Sequence, residues 1–352
     1  TTHIRTYTFG ERLIPEKLGK TDVPETGRVS ETWEISDQKD ARATIVEGPW
    51  TGRLLNDLTL AEPDGLVGLG WRGPHFPLLG KFLDASHMLP VHLHANDADA
   101  ASLHGEPNGK SEAWHILWCE PGTTILTGIK PGNSDDDLRA AFKDEDYERV
   151  MYRHPLRTGD TVHVPGGILH SFGPDTLIFE IQQTSDLSQH VMPSDIYGNR
   201  LAEEVWDANI DRTLAELHQD YLPIPNPGLE KTPGEHGNRA RICCAGPHFA
   251  LERWTLAGPH TEPSHPERCV TLSNVGDPVT IRWAGGETSL GRAESCILPA
   301  ALGETEIIPS GEGDLIACYV PDLERDIIAP LRAAGHSDAA IGALGEVFQT
   351  GR

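Results

Sequence analysis

No apolar run in the 352-residue chain approaches the roughly 20 residues that a bilayer-spanning helix needs, which excludes a helical membrane protein. Cysteine is sparse. Six residues are scattered from Cys119 to Cys318, and only Cys243 and Cys244 are neighbours, where a mutual bridge would be strained. No disulfide framework is therefore expected, and the setting reads as reducing and cytoplasmic. Positive charge is also short, with 29 lysines and arginines against 53 aspartates and glutamates and a formal net charge of −24. That field repels polyanions, so nucleic acid and anionic membrane surfaces are excluded as partners. A small substrate stays open, because a few local cations or a metal reverse the sign inside a cleft. The opening stretch TTHIRTYTFGERLIPEKLG is polar and charged, unlike a secretory leader, although the absent initiator Met leaves room for a removed one.

Glycine (36) and proline (27) are plentiful and separate short apolar runs. ARATIVEG (41–48), AWHILW, TTILTGI, DTVHVPG and TLIFEIQQ read as strands in the first half. FALERWTL, CVTLSNV, PVTIRW, SCILPA and DLIACYV do so in the second. Many short strands between such turns indicate a mainly β fold, here two jelly-roll barrels with a few connecting and C-terminal helices. Helical periodicity is confined to DDDLRAAFKDEDYERVMY (135–152), LAEEVWDANIDRTLAELHQDY (201–221) and the tail from Pro321. In that tail GHSD parts two short helices, and Ser337 or Asp338 caps the second. The expected division is 1–190, an N-terminal segment with the first barrel; 191–235, a helical linker; 236–320, a second barrel; and 321–352, C-terminal helices. GDTVHVPGGILHSF and GRAESCILPAALGETEI each place a proline between a strand and a turn, a faint echo that two related barrels would produce.

The chemistry concentrates in LPVHLHANDADAASLHGEPNGKSEAWHIL (89–117). Side chains at i and i+2 of a strand share a face, so His92 and His94 project together, as two imidazoles on one divalent cation must. A pair of edge-strand histidines facing solvent is the plainer reading. Glu112 opens the following strand and offers a hard oxygen. In GDTVHVPGGILH the frame G-x5-P-x-G-x2-H (Gly159, Pro165, Gly167, His170) ends one strand, turns tightly and aims His170 inward from the next. That frame resembles the second half of a cupin metal site. Three histidines and a carboxylate then converge with space left for substrate or water.

Seventeen residues separate His94 from Glu112, far more than in the small germin-like cupins. With this spacing the chain resembles the type I phosphomannose isomerases. LPVHLHAND and Gly109-Lys110-Ser111-Glu112-Ala113-Trp114 match two of that family's motifs. ETWEIS (31–36), FPLLGKFLDA (76–85), GDTVHVPGGILHSF (159–172) and FEIQQTSD (179–186) follow in family order over residues 28–190. Over 236–320 the likeness weakens to a second, metal-less cupin-like barrel. The resemblance implies a divalent cation, usually zinc, held by His92 (where the family has Gln), His94, Glu112 and His170. The added imidazole keeps zinc favoured and leaves Mn2+, Fe2+, Co2+ and Ni2+ harder to dismiss. It further implies aldose–ketose isomerisation, most simply of mannose 6-phosphate and fructose 6-phosphate, by proton transfer through a cis-enediol. Lys110 stands at the family's active-site lysine, and the partner is a small sugar or sugar phosphate.

One departure bears on the reaction. Where the family carries an active-site Arg after its SD pair, Ser185-Asp186-Leu187-Ser188-Gln189-His190 puts His190, and no Arg occurs before Arg200. An Arg would be a fixed planar cation for developing enediolate charge, whereas a His is an acid or base only partly charged near neutrality. His190 reads as a substituted proton shuttle, as a sign of a changed substrate such as an unphosphorylated sugar, or as a loop residue without a role. Lys81, Lys130 and Arg200 are the candidates for a phosphate. Lys110 has a plain reading as a structural lysine paired with a strand-end carboxylate. His87, His104 and His115 read as loop or solvent residues, and His163 as facing away from the metal. Trp33 and Glu34 read as buttresses, and Asp135 to Asp137 as a solvated helix start. His260 and His265 lack a matching His in CILPAALGETE, so the second barrel reads as structural. A metal-retaining sugar-binding protein and a cupin oxygenase compete with the isomerase, and Lys110 beside Glu112 favours the isomerase.

Overall fold

The computed structural model describes residues 2–48 and 50–348. Among them the first barrel comprises β1 (His3–Arg5), β2 (Glu31–Ile35), β3 (Leu78–Ala85), β4 (His92–Leu93), β5 (Glu112–Cys119) and β6 (Thr124–Ile129). It is completed by β7 (Met151–Pro155), β8 (Thr161–Val164), β9 (His170–Phe172), β10 (Thr176–Gln183) and β11 (Gln189–His190). One sheet runs β1-β2-β3-β10-β5-β8, and the other runs β11-β4-β9-β6-β7.

The second barrel repeats the plan with β12 (Leu229–Glu230), β13 (Arg239–Ala245), β14 (Ala250–Leu256), β15 (His260–Glu262) and β16 (Val270–Asn274). Then come β17 (Val279–Trp283), β18 (Gly286–Leu290), β19 (Ser295–Leu298), β20 (Thr305–Pro309) and β21 (Gly313–Tyr319). Its sheets are β12-β13-β14-β21-β16-β19 and β15-β20-β17-β18. The fold is mainly β with few helices. The second sheet already begins at Leu229, inside the stretch expected to be linker.

The strand β10 shows how sequence positions the two halves. TLIFEIQQ is buried throughout because both its faces meet protein. Leu177, Phe179 and Ile181 join Phe249 and Ile316 in a core shared between the barrels, while Ile178 packs with Trp114 and Ile116 inside the first. A period of two thus serves two cores, each buried Phe or Ile side chain stabilising by roughly 1.5–3 kcal/mol. Glu180 shares the inward face with Ile178 and needs polar partners there.

Two local expectations need correction. ARATIVEG is not a strand. Ala43 donates to Ser36 O and Ile45 to Arg53 O, so its backbone groups are met by a looping excursion, with only a Thr44–Leu54 bridge. The helix expected over 135–152 stops at Lys143, Glu145 adopts φ 55°, a short turn of helix follows at Tyr147–Val150, and Met151–Pro155 pairs with β6 instead. Its start is capped by Ser134, whose backbone N–H donates to Asp137 at 2.9 Å. In the tail, Ser337 caps Asp338–Gly342 by accepting from the Ala340 N–H. Ile327, Leu331, Ile341 and Leu344 of that tail pack into the second barrel's core.

Candidate metal centre

Three chain segments meet at the mouth of the first barrel because glycines let their backbones touch. Lys110 N donates to Ala95 O at 2.9 Å and Gly167 N to His94 O at 2.6 Å, clamping the H-x-H strand between the two turns that carry Glu112 and His170. A Cβ on Gly109 would lie 2.4 Å from the Asn96 carbonyl carbon, and Gly167 sits at φ +87°, so larger residues are strained at both. Within this clamp β4 pairs with β9, placing His92 opposite His170, and β11 pairs with β4, placing His190 opposite His92.

The imidazoles of His92, His94 and His170 each offer a ring nitrogen within 4.8 Å of the others. Their Nδ1 atoms are already engaged. His92 Nδ1–H donates to Pro90 O at 2.7 Å, His94 to Leu187 O at 2.6 Å and His170 to Ile168 O at 2.8 Å. These carbonyls select the tautomer that leaves every Nε2 lone pair facing the centre. His92 Nε2 and His170 Nε2 then confront each other at 3.1 Å, while Glu112 brings Oε1 to 3.2 Å from His170 Nε2 and Oε2 to 3.3 Å from His94 Nε2. Donors around a tetrahedral zinc ion stand about 3.3 Å apart, given metal–ligand lengths near 2.0–2.1 Å. The residues present fit such an ion. Trp114 Nε1–H donates to Glu112 Oε1 at 3.0 Å and fixes the carboxylate plane.

Lys110 supplies positive charge at the same place. Its Nζ lies 2.9 Å from His94 Nε2 and 2.9 Å from Glu112 Oε2, the atoms a cation would share. Glu180 stands 3.7 Å from Lys110 and 3.2 Å from Lys81, and Lys81 reaches Glu31 at 3.3 Å. Burial, then His170 and His94, hold the His92 imidazole well below its usual range, while burial and Lys110 bring His94 down to about 3. Both stay neutral, as ligands must. Burial opposes the Glu112 charge, but Lys110 beside it outweighs burial and holds the carboxyl well below its usual range. Burial pushes the Glu180 carboxyl up, against the pull of Lys81.

The structure thus gathers His92, His94, Glu112, His170 and Lys110 into one cluster. His190 lies beside them with its ring centroid 5.5 Å from that of His92. Its Nε2 is 3.3 Å from Ser188 Oγ, its Nδ1 is buried without a hydrogen-bond partner, and burial with Lys110 lowers it to about 4. Other readings change. Lys81 is engaged by two carboxylates and does not present a free cation to a phosphate, and Lys130 donates to Glu148 O. His115 is no loop residue: it is buried, taking a bond from Arg253 at 2.9 Å across the barrel interface. His104 meets Glu216 at 2.9 Å. His163 does face away, toward Glu346. Glu180 went unrecognised; a lone charge at an inward position of an apolar strand was the signal. In the second barrel β15 pairs with β20 as β4 does with β9, and Ile307 stands opposite His260 where His170 stands opposite His92.

Fold and site together define a protein of two cupin-like barrels, the first of which gathers three imidazoles and a carboxylate that could hold a cation. No family model matches the chain. A putative mannose-6-phosphate isomerase of Bacillus subtilis is 26% identical over 314 residues, 89% of this chain and 95% of the relative. Other relatives from Bacillus subtilis and Streptococcus mutans with the same activity in their names are 25% to 28% identical. The crystal structure of the mannose 6-phosphate isomerase from Bacillus subtilis superposes with a TM-score of 0.78 at 23% identity, covering 90% of this chain and 98% of that one. A mannose 6-phosphate isomerase bound with zinc and yttrium shares the fold at a TM-score of 0.65 and 13% identity, covering 91% and 97%. The chain is a divergent relative of the phosphomannose isomerases, a family of sugar isomerases.

Proposed function

We propose that the chain is a metal-dependent aldose–ketose isomerase, most simply interconverting mannose 6-phosphate and fructose 6-phosphate by moving a proton between C2 and C1 through a cis-enediol. The observation that carries this reading is the pair of Nε2 lone pairs on His92 and His170, 3.1 Å apart with both N–H groups turned to carbonyls. Two lone pairs in that posture repel unless a cation lies between them. His92, His94, His170 and Glu112 would hold it, zinc foremost, and when bound it supplies Lewis-acid polarisation of the sugar oxygens.

Lys110 is our candidate to carry the proton, since its Nζ touches the rim of the donor set, with the Glu180 carboxyl 3.7 Å behind it. Lys81 holds Glu180 and Glu31 in place. His190, neutral at working pH, is a second acceptor facing the same mouth. Its neutrality, with Lys81 engaged elsewhere, also favours a second reading in which the sugar lacks a phosphate. The free cysteines support a cytoplasmic setting.

The test is the full chain, loaded with zinc or manganese, assayed on phosphorylated and free mannose and fructose. Conversion of the phosphorylated pair supports the first reading and conversion of free sugars alone the second. Absence of any aldose–ketose conversion with metal bound would overturn both.

A further inference from the structure

We propose that the cleft between the two barrels binds a small phosphate-bearing anion, at a site separate from the imidazole cluster. A cavity of about 190 Å³ lies there, lined from the second barrel by Arg239, Arg241 and Arg253 and from the first by His115. Arg241 and Arg253 are direct cross-strand partners on β13 and β14, so their side chains share one face, and Arg239 is two residues along that same face. Like charges directly opposite each other destabilise a sheet. Here each is met by one carboxylate: Arg241 by Glu230 at 2.9 and 2.6 Å, and Arg253 by Asp314 at 2.7 and 2.6 Å.

Those two pairs leave the third cation over. Arg239 is exposed and, among the described residues, has neither a side-chain hydrogen bond nor an ion pair. The cavity therefore holds three guanidiniums against two carboxylates in a chain of net charge −24. His115 adds no charge of its own, because burial and Arg253 push its imidazole down to about 3 and it serves as an acceptor for Arg253 Nη1. Each guanidinium carries five N–H donors, so Arg241 and Arg253 keep hydrogens beyond those their carboxylates take. Planar forks converging from neighbouring strands match the oxygens of a phosphate group, which accepts several charge-assisted bonds at once. The anion would bridge Arg239 to the cross-strand pair and relieve their repulsion.

Calorimetric titration of the purified full chain with inorganic phosphate at low ionic strength tests this. The expected result is one saturable site that persists in Glu112→Gln, which disables the imidazole cluster. Affinity should fall about tenfold in Arg239→Gln, the loss of one charge-assisted contact. Arg239 has no partner to lose, so an unchanged melting temperature in that variant will confirm that folding is intact. Three results would overturn the proposal: no saturable heat, Arg239→Gln binding as the wild type does, or a site that vanishes in Glu112→Gln at a temperature where its melting curve shows that variant folded.

Discussion

At Glu112 four polar contacts meet one carboxylate that is 2% exposed: His94, His170, Lys110 and Trp114. Glu112→Gln keeps the shape and removes the charge, leaving Lys110 buried with Glu180 as its remaining carboxylate at 3.7 Å. Breaking a buried pair in this way costs about 3–5 kcal/mol. The expectation is a lower unfolding midpoint in urea and, by elemental analysis, a metal content well below one per chain. Unchanged metal content would remove Glu112 from the donor set. Lys110→Met separates the roles, with metal retained and turnover reduced by about 100-fold or more if Lys110 moves the proton.

These positions were legible in the sequence for physical reasons. Strand alternation puts His92 and His94 on one face, and the proline–glycine turn directs His170. Glu180 was not, and Lys81 reads from sequence as a phosphate contact, because a charge within an apolar strand reveals its partners only once the neighbouring strands are known.

The strand β5 carries the site on one face and the barrel interface on the other. Glu112 and Trp114 point into the first barrel, while Ala113 packs into the shared core and His115 meets Arg253. Alternation predicts that His115 opposes Trp114, but it says nothing of what lies beyond the sheet, and the second barrel decides that. Burial, reinforced by Arg253 and Arg241, brings this imidazole to about 3, against roughly 6.5 in an unfolded chain. Between those values only the unfolded chain takes up the proton. The contribution is therefore whole above pH about 6.5 and is lost as pH falls toward 3, at about 1.4 kcal/mol per pH unit. Urea unfolding measured from neutral pH downward should show His115→Gln losing stability less steeply than the wild type. Identical slopes would mean that His115 is not held neutral. The same limit on sequence reading explains ARATIVEG, which among the described residues pairs only with the short return segment at 52–55, through the single Thr44–Leu54 bridge, and joins neither sheet of the first barrel.

Across the whole molecule the two barrels share a plan but not a chemistry. Both pair a six-stranded sheet with a smaller one, and Ile307 occupies the place that His170 holds in the first barrel. Two jelly rolls were legible from strand lengths and turn residues. The sheet-to-sheet contact between them was not, because the residues that make it look like ordinary strand interiors. Four side chains from three segments, His92 with His94, Glu112 and His170, are the donor set proposed to share one ion in the first barrel. X-ray absorption at the zinc edge of the zinc-loaded chain tests that most directly. Three imidazole nitrogens and a carboxylate oxygen at about 2.0–2.2 Å are predicted. Sulfur in the first shell, or no more than one imidazole, would contradict it.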